Sequence, residues 1–185
     1  MNAGPGDRIR EAFVTVLWSG YAPVASGTFG SAAAIVLYVA AFAAASQLGI
    51  SRVWFDLAVA SPAIIAACII GVALGPWAIA RYGREDPKPF VLDEFAGQWT
   101  ALLLLPPIAF TGWLGLAAVL ASQFFLFRLL DVIKPPPARQ IDRDWSGGWG
   151  ITFDDVVAGI YANLLGQLLW RFTPLASWVA AFASN

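Results

Sequence analysis

The chain has 185 residues, of which 59% are apolar, with a mean hydropathy of +0.69 and a net charge of −1. That length suggests one domain, and a charged content of only 12% beside thirteen Phe and nine Trp excludes an ordinary soluble one. The near-neutral charge gives no support for nucleic-acid binding, and the absence of histidine excludes Ser-His-Asp hydrolysis, phosphohistidine chemistry, His-ligated zinc and imidazole acid–base catalysis.

Residues Met1–Glu11 are polar, and Ala12–Trp18 lacks the small-residue cleavage pattern of a signal peptide. The segment Ala22-Pro23-Val24-Ala25-Ser26-Gly27-Thr28-Phe29-Gly30-Ser31 then opens the first long uncharged run, Ser31–Leu48. Its glycines allow close backbone approach, and Thr28 and Ser31 add hydroxyls at a helix N-terminus, where free N–H groups attract anions. Leu57–Ala80 follows, bent or delayed by Pro62 and Pro76. Cys68 within it is the single cysteine and reads as a packed thiol. Beyond the polar loop Arg81–Leu92, Phe95–Phe110 is apolar but short, with Pro106–Pro107 spoiling its last turns. A Thr111–Gly112 turn leads into Trp113–Phe127. Pro135–Pro137 open a polar segment reaching Phe153, in which Trp145–Gly150 reads as a flexible, interface-seeking loop. Val156–Phe172 is the last clear run, and Leu175–Phe182 is expected to lie along the interface.

A membrane helix needs roughly 20 residues. Ser31–Leu48 and Leu57–Ala80 meet that comfortably, whereas Phe95–Phe110 and Val156–Phe172 are marginal. The expected fold is an all-α polytopic membrane bundle of four to five crossings, or four plus a re-entrant piece, forming a single membrane-embedded domain over residues 1–185. Counting five crossings puts Asp93–Glu94, Asp131 and Asp154–Asp155 on one side of the membrane together with the Ser26–Ser31 segment. Nine of the eleven Lys and Arg fall on that side and only Arg52 and Arg171 on the other. By the positive-inside rule, the acidic side faces the cytoplasm.

Carboxylates beside hydrocarbon are costly unless paired, so their recurrence at helix ends points to a site. On a helix, Asp93, Gly97 and Ala101 share a face, and the small residues let a neighbouring helix approach. Arg128, Asp131 and Lys134 follow at three-residue spacing. Asp131 stands at a helix C-terminus, which repels anions. Its retention between two cations suggests a metal and a phosphate. In Gly150-Ile151-Thr152-Phe153-Asp154-Asp155, a helix cap explains one aspartate but not both, so at least one is expected to be a ligand. Hard oxygen donors suit Mg²⁺, which binds through one or two carboxylates plus substrate phosphate, while Arg128 and Lys134 would neutralise phosphate oxygens.

Four motifs together resemble the phosphatidylglycerophosphatase A family: the Gly-Thr-x-Gly-Ser of Gly27–Ser31, the Asp-Glu-x-x-Gly of Asp93–Gly97, the Phe-Arg-x-x-Asp-x-x-Lys-Pro of Phe127–Pro135, and the Asp-Asp-x-x-Ala-Gly of Asp154–Gly159. Ser26 departs from the pattern, since a proline often precedes Gly-Thr there, and this concerns turn rigidity more than chemistry. The resemblance implies a Mg²⁺-dependent, multi-pass hydrolase of the bacterial inner membrane. It would act on an anionic phospholipid among membrane lipids, cleaving phosphatidylglycerophosphate to phosphatidylglycerol and inorganic phosphate. The expected metal ligands are Asp93, Glu94, Asp131 and Asp154 or Asp155, with Glu94 as ligand or base. Gly27, Thr28, Ser31, Arg128 and Lys134 would contact phosphate. Attack by water is expected, with Thr28 as the alternative nucleophile. A CDP-alcohol phosphotransferase is the runner-up, but its spaced Asp-Gly-x-x-Ala-Arg series is absent. A small cation transporter would place acidic residues deep in several helices rather than at one face.

Overall fold

The computed structural model describes residues 4–106 and 112–183. Its elements are α1 (Pro5–Val14), a 3₁₀ turn at Ser19–Tyr21, α2 (Ser26–Gln47), α3 (Arg52–Phe55), a π-helical turn at Asp56–Ala60, α4 (Ser61–Tyr82), α5 (Leu92–Leu102), α6 (Gly112–Ile133), α7 (Ala138–Asp144), α8 (Gly148–Phe172) and α9 (Leu175–Ala183). No strand occurs among the described residues. Among the described residues, three helices are long and apolar enough to cross a membrane: Ser26–Gln47, Gly112–Ile133 and the continuous 31-residue rod Arg52–Tyr82.

That rod begins earlier than the apolar run alone implies. Arg52 to Asp56, which lie between the apolar runs Ser31–Leu48 and Leu57–Ala80, are helical, and Asp56 is buried. The π-helical turn lies just ahead of Pro62. A proline ring has no N–H and clashes with the carbonyl four residues back, so a widened turn relieves the contact. Ser61 Oγ donates to the Asp56 carbonyl at 2.8 Å within this turn.

Helix α5 is the centre of the bundle. Leu92, Asp93 and Ala96 to Leu102 are buried, and α5 packs most extensively on α8, then on α4 and α2. The expected Phe95–Phe110 run is not one continuous helix, because α5 stops at Leu102. Leu103 turns extended (φ −65°, ψ 135°) and Leu104 enters the left-handed region, and the approach to Pro106 disfavours helix. Eleven residues span only about 16 Å, roughly half the hydrocarbon thickness. Residues 107–110 of that run, and Thr111 of the expected turn, lie outside the described residues.

Two glycines bring α5 and α8 into backbone contact. A Cβ on Gly159 would strike the Gly97 carbonyl, and one on Gly97 would meet Phe127 and the Asp155 carbonyl. Trp145–Gly150, expected as a flexible loop, is non-helical only to Gly147, and its second half is the first turn of α8. Gly148 there lets α8 approach the α4 backbone at Gly71 and Val72. Trp149 stacks on Phe153 at 5.4 Å and stays exposed beside Trp145, as interface anchors should. Helices α2, α5 and α8 start, and α4 and α6 end, at one end of the bundle around a common cavity.

Candidate active site

Asp93 and Glu94 occupy the first turn of α5, where the positive end of the helix dipole favours acids. Asp93 Oδ1 accepts the Glu94 N–H at 2.9 Å. Asp154 and Asp155 are not caps, as α8 begins at Gly148 and both sit two turns inside it, each 4% exposed. Their depth follows from the Gly-rich start of α8, which lets the helix run past the site before its acids appear.

Helix α6 supplies the cations. Arg128 Nη1 lies 3.1 Å from Asp131 Oδ2 and 3.9 Å from Glu94 Oε1, and donates to Ser31 Oγ at 3.4 Å. Lys134, just past the helix, is left-handed (φ 49°) and its N–H donates to the Leu130 carbonyl at 2.8 Å, closing the helix in a position that usually takes glycine. Its ammonium sits between Asp154 (2.5 Å) and Asp142 (2.7 Å). Burial alone would lower the Lys134 pKa, but the two carboxylates outweigh it and hold the group above its ordinary value.

Asp93, Glu94 and Asp155 each offer an oxygen within 4.8 Å of the others, and Asp131 lies against Asp155. Among the described residues, the buried Glu94 Oε2 and Asp154 Oδ1 have no hydrogen-bond partner. Such orphaned acceptors are expensive in a dry site and fit a hard cation. The cavity in front of them has a volume of about 690 Å³. Eight carboxylates and three cations line it.

Gly27 borders this cavity at a point where a Cβ would collide with Glu94 Oε1 and lie 2.9 Å from Arg128. Ser31 is buried one turn on, its hydroxyl donating to the Gly27 carbonyl at 2.9 Å while accepting from Arg128. Thr28 is half-buried and does not line the cavity. The structure thus gathers Gly27, Asp93, Glu94, Arg128, Asp131, Lys134, Asp154 and Asp155, with Ser31 behind Arg128 and Thr28 to one side.

Sequence reasoning missed Asp142 and Asp86. Asp142 lies in Arg139-Gln140-Ile141-Asp142-Arg143, which reads as a solvated surface stretch. Its eight-residue offset from Lys134 across three prolines conceals their pairing. Asp86, at the rim, is pushed above the usual carboxylate range by desolvation, against the opposing pull of Lys134 and with Asp142 and Asp131 adding to the rise.

A family model described as phosphatidylglycerophosphatase A matches residues 12–170, which contain every one of these groups. The chain belongs to the phosphatidylglycerophosphatase A family. It is 37% identical over 157 residues to the Escherichia coli phosphatidylglycerophosphatase A, covering 85% of this chain and 81% of that protein. The Haemophilus influenzae phosphatidylglycerophosphatase A is 35% identical over 147 residues, 80% of each chain. A Bacteroides thetaiotaomicron relative with a provisional phosphatidylinositol-3-phosphatase name is 31% identical over 164 residues, 84% of this chain and 93% of that one. No solved structure matches. In this phosphatidylglycerophosphatase A family member, all four sequence motifs converge on the same end of the bundle, drawn from α2, α5, α6 and α8.

Proposed function

We propose that this membrane-embedded domain hydrolyses the terminal phosphate monoester of phosphatidylglycerophosphate, releasing phosphatidylglycerol and inorganic phosphate. The family supplies the substrate, and the charge of the cavity carries the chemistry. Eight carboxylates against three cations would repel a phosphate dianion, so the site needs an added cation before it can receive one. Mg²⁺ fits the donor set: Asp93, Glu94 and Asp155 would hold it, with Asp131 alongside. Bound there, it would neutralise phosphate charge and ease displacement at phosphorus.

The protein's own groups do the rest. Arg128 presents its guanidinium to phosphate oxygens and is steadied by Asp131 and Ser31. Lys134 draws the anionic head group towards Asp154 and the rim. Glu94 divides its oxygens, with Oε1 facing Arg128 and Oε2 left for the cation or for the proton of attacking water. Water attacks phosphorus, the P–O bond to the glycerol breaks, and its electron pair leaves on the glycerol oxygen, which takes a proton. The position of Thr28 outside the cavity supports water rather than its hydroxyl as nucleophile.

In this reading α2, the Arg52–Tyr82 rod, α6 and α8 cross the membrane as helices, and because α5 starts and α6 ends at the site, the chain between them makes a fifth passage in which α5 is a half-length helix. The nine-to-two distribution of cations supports a cytoplasmic site in a bacterial inner membrane. The deciding experiment measures phosphate release by purified protein in detergent, with Mg²⁺ or with EDTA, from phosphatidylglycerophosphate, phosphatidylinositol 3-phosphate and phosphatidic acid. Mg²⁺-dependent release from the first substrate above the others is expected. Undiminished release in EDTA would refute the metal, and preference for the inositol lipid would reassign the substrate.

A further inference from the structure

Helix α5 ends inside the bundle, where no water is available to satisfy its last carbonyls. Side chains from both flanking helices take over. From one side Arg52 Nη2 donates to the Leu102 carbonyl at 2.6 Å, while its Nε pairs with Asp56 Oδ2 at 2.9 Å. Asp56 Oδ2 also accepts the Leu104 N–H at 3.0 Å, and the Tyr38 hydroxyl donates to Oδ1 at 3.2 Å. From the other side Asn163 Nδ2 donates to the Ala101 and Leu103 carbonyls at 3.1 and 2.6 Å, and Gln167 Nε2 to the Leu104 carbonyl at 2.8 Å.

Stability alone does not call for such a device, since a buried ion pair is often no better than apolar packing of the same volume. What a set of directed bonds supplies, and apolar packing does not, is a fixed depth and rotation for the helix they grip. Asp93 and Glu94 lie at the opposite end of the same rigid rod, about 14 Å away. A slip at Leu102 therefore moves both carboxylates by a similar amount.

We propose that Arg52, Asp56 and Asn163 are positioning residues for the phosphatase reaction, gripping the buried end of α5 so that Asp93 and Glu94 stand in place at the other. The proposal rests on the reading that these two acids belong to the reacting site. Its test compares Arg52→Lys, which keeps the charge and loses the fork, and Asn163→Leu, which leaves no buried charge behind, with Trp170→Phe as a control. Trp170→Phe removes a bond to Ser122 (3.1 Å) between α8 and α6 and leaves every hydrogen bond to the end of α5 in place. The two grip variants should lower kcat per folded protein about 10–100-fold, as misplacement by about 1 Å does. KM should stay within about twofold, because Arg128 and Lys134 on the α6 side are undisturbed. The control should lose comparable thermal stability with kcat unchanged. Grip variants with wild-type kcat, or with kcat falling in step with the control at matched thermal loss, would overturn the proposal. Asp93→Asn, run alongside, separates the two ideas: full turnover there removes the site assignment and the proposal with it, whereas loss there with intact grip variants removes the proposal alone.

Discussion

Substituting Gly159 by alanine tests whether the backbone contact between α5 and α8 sets the geometry of the carboxylates. The added Cβ would lie 3.0 Å from both the Gly97 carbonyl carbon and its Cα, and closer still to the Gly97 oxygen. Ordinary contact begins near 3.4 Å, so the helices must part by several tenths of an ångström at the carbon atoms and by more at the oxygen. Neither helix has slack there, as the other face of Gly97 is filled by Phe127 and the Asp155 carbonyl. Overpacking of this kind costs about 1–3 kcal/mol, a drop of several degrees in the melting midpoint. The catalytic effect should be larger. Asp93 and Asp155 each lie one turn from this contact on facing helices, and a separation approaching 1 Å costs on the order of 10²-fold in turnover. Phosphate release from the lipid in detergent gives kcat, and tryptophan fluorescence on heating gives the midpoint. A Gly159→Ala protein with kcat within about twofold of wild type would refute the claim that this contact holds the site.

Asp155→Asn should lower turnover by about 10²–10³-fold without unfolding the protein, whereas Asp154→Asn should cost less, because Asp154 engages Lys134 rather than the central trio; equal losses, from the same lipid assay, would contradict the division. Arg128→Lys keeps the charge but loses the fork shared by Asp131, Glu94 and Ser31, and steady-state kinetics should show a fall of about 10²-fold in kcat/KM. Thr28→Ala should retain measurable turnover, and mass spectrometry after rapid quench should find no phosphothreonine; its detection would establish Thr28 as nucleophile. With Cys68 replaced, a cysteine at Gln47 should label from outside intact cells and one at Ser146 should not, and the reverse pattern would invert the orientation.

The candidate site was legible in the sequence because its residues are expensive where they stand. Asp131 at a helix C-terminus and two adjacent aspartates before an apolar run both violate local preferences, and such violations mark function. The small-residue row below Asp93 also read correctly as a close helix contact, which Gly97 makes with Gly159 of α8. Less legible was where helices stop. Hydropathy continues smoothly from Phe95 past Leu102, so nothing in the apolar pattern records that α5 ends there. The information lies in Arg52, Asp56, Asn163 and Gln167, which are up to about 60 residues away and individually look like loop or helix-surface residues. The second half of the Trp145–Gly150 stretch misled for a related reason. Its Gly148 signals flexibility when read locally but serves close packing of α8 on α4.

The short α5 also constrains how the protein can enter a membrane. An eleven-residue helix is too brief to partition into hydrocarbon on its own, and its terminal carbonyls have nothing to bond until their partners arrive. Arg52 and Asp56 precede it from the ribosome, but Asn163 and Gln167 are made some sixty residues later. During synthesis α5 must therefore wait, half-satisfied, at the membrane or within the insertion machinery until α8 has been delivered. Asp93 and Glu94, at the middle of the chain, consequently reach their places in the candidate site only when nearly all of the second half is present.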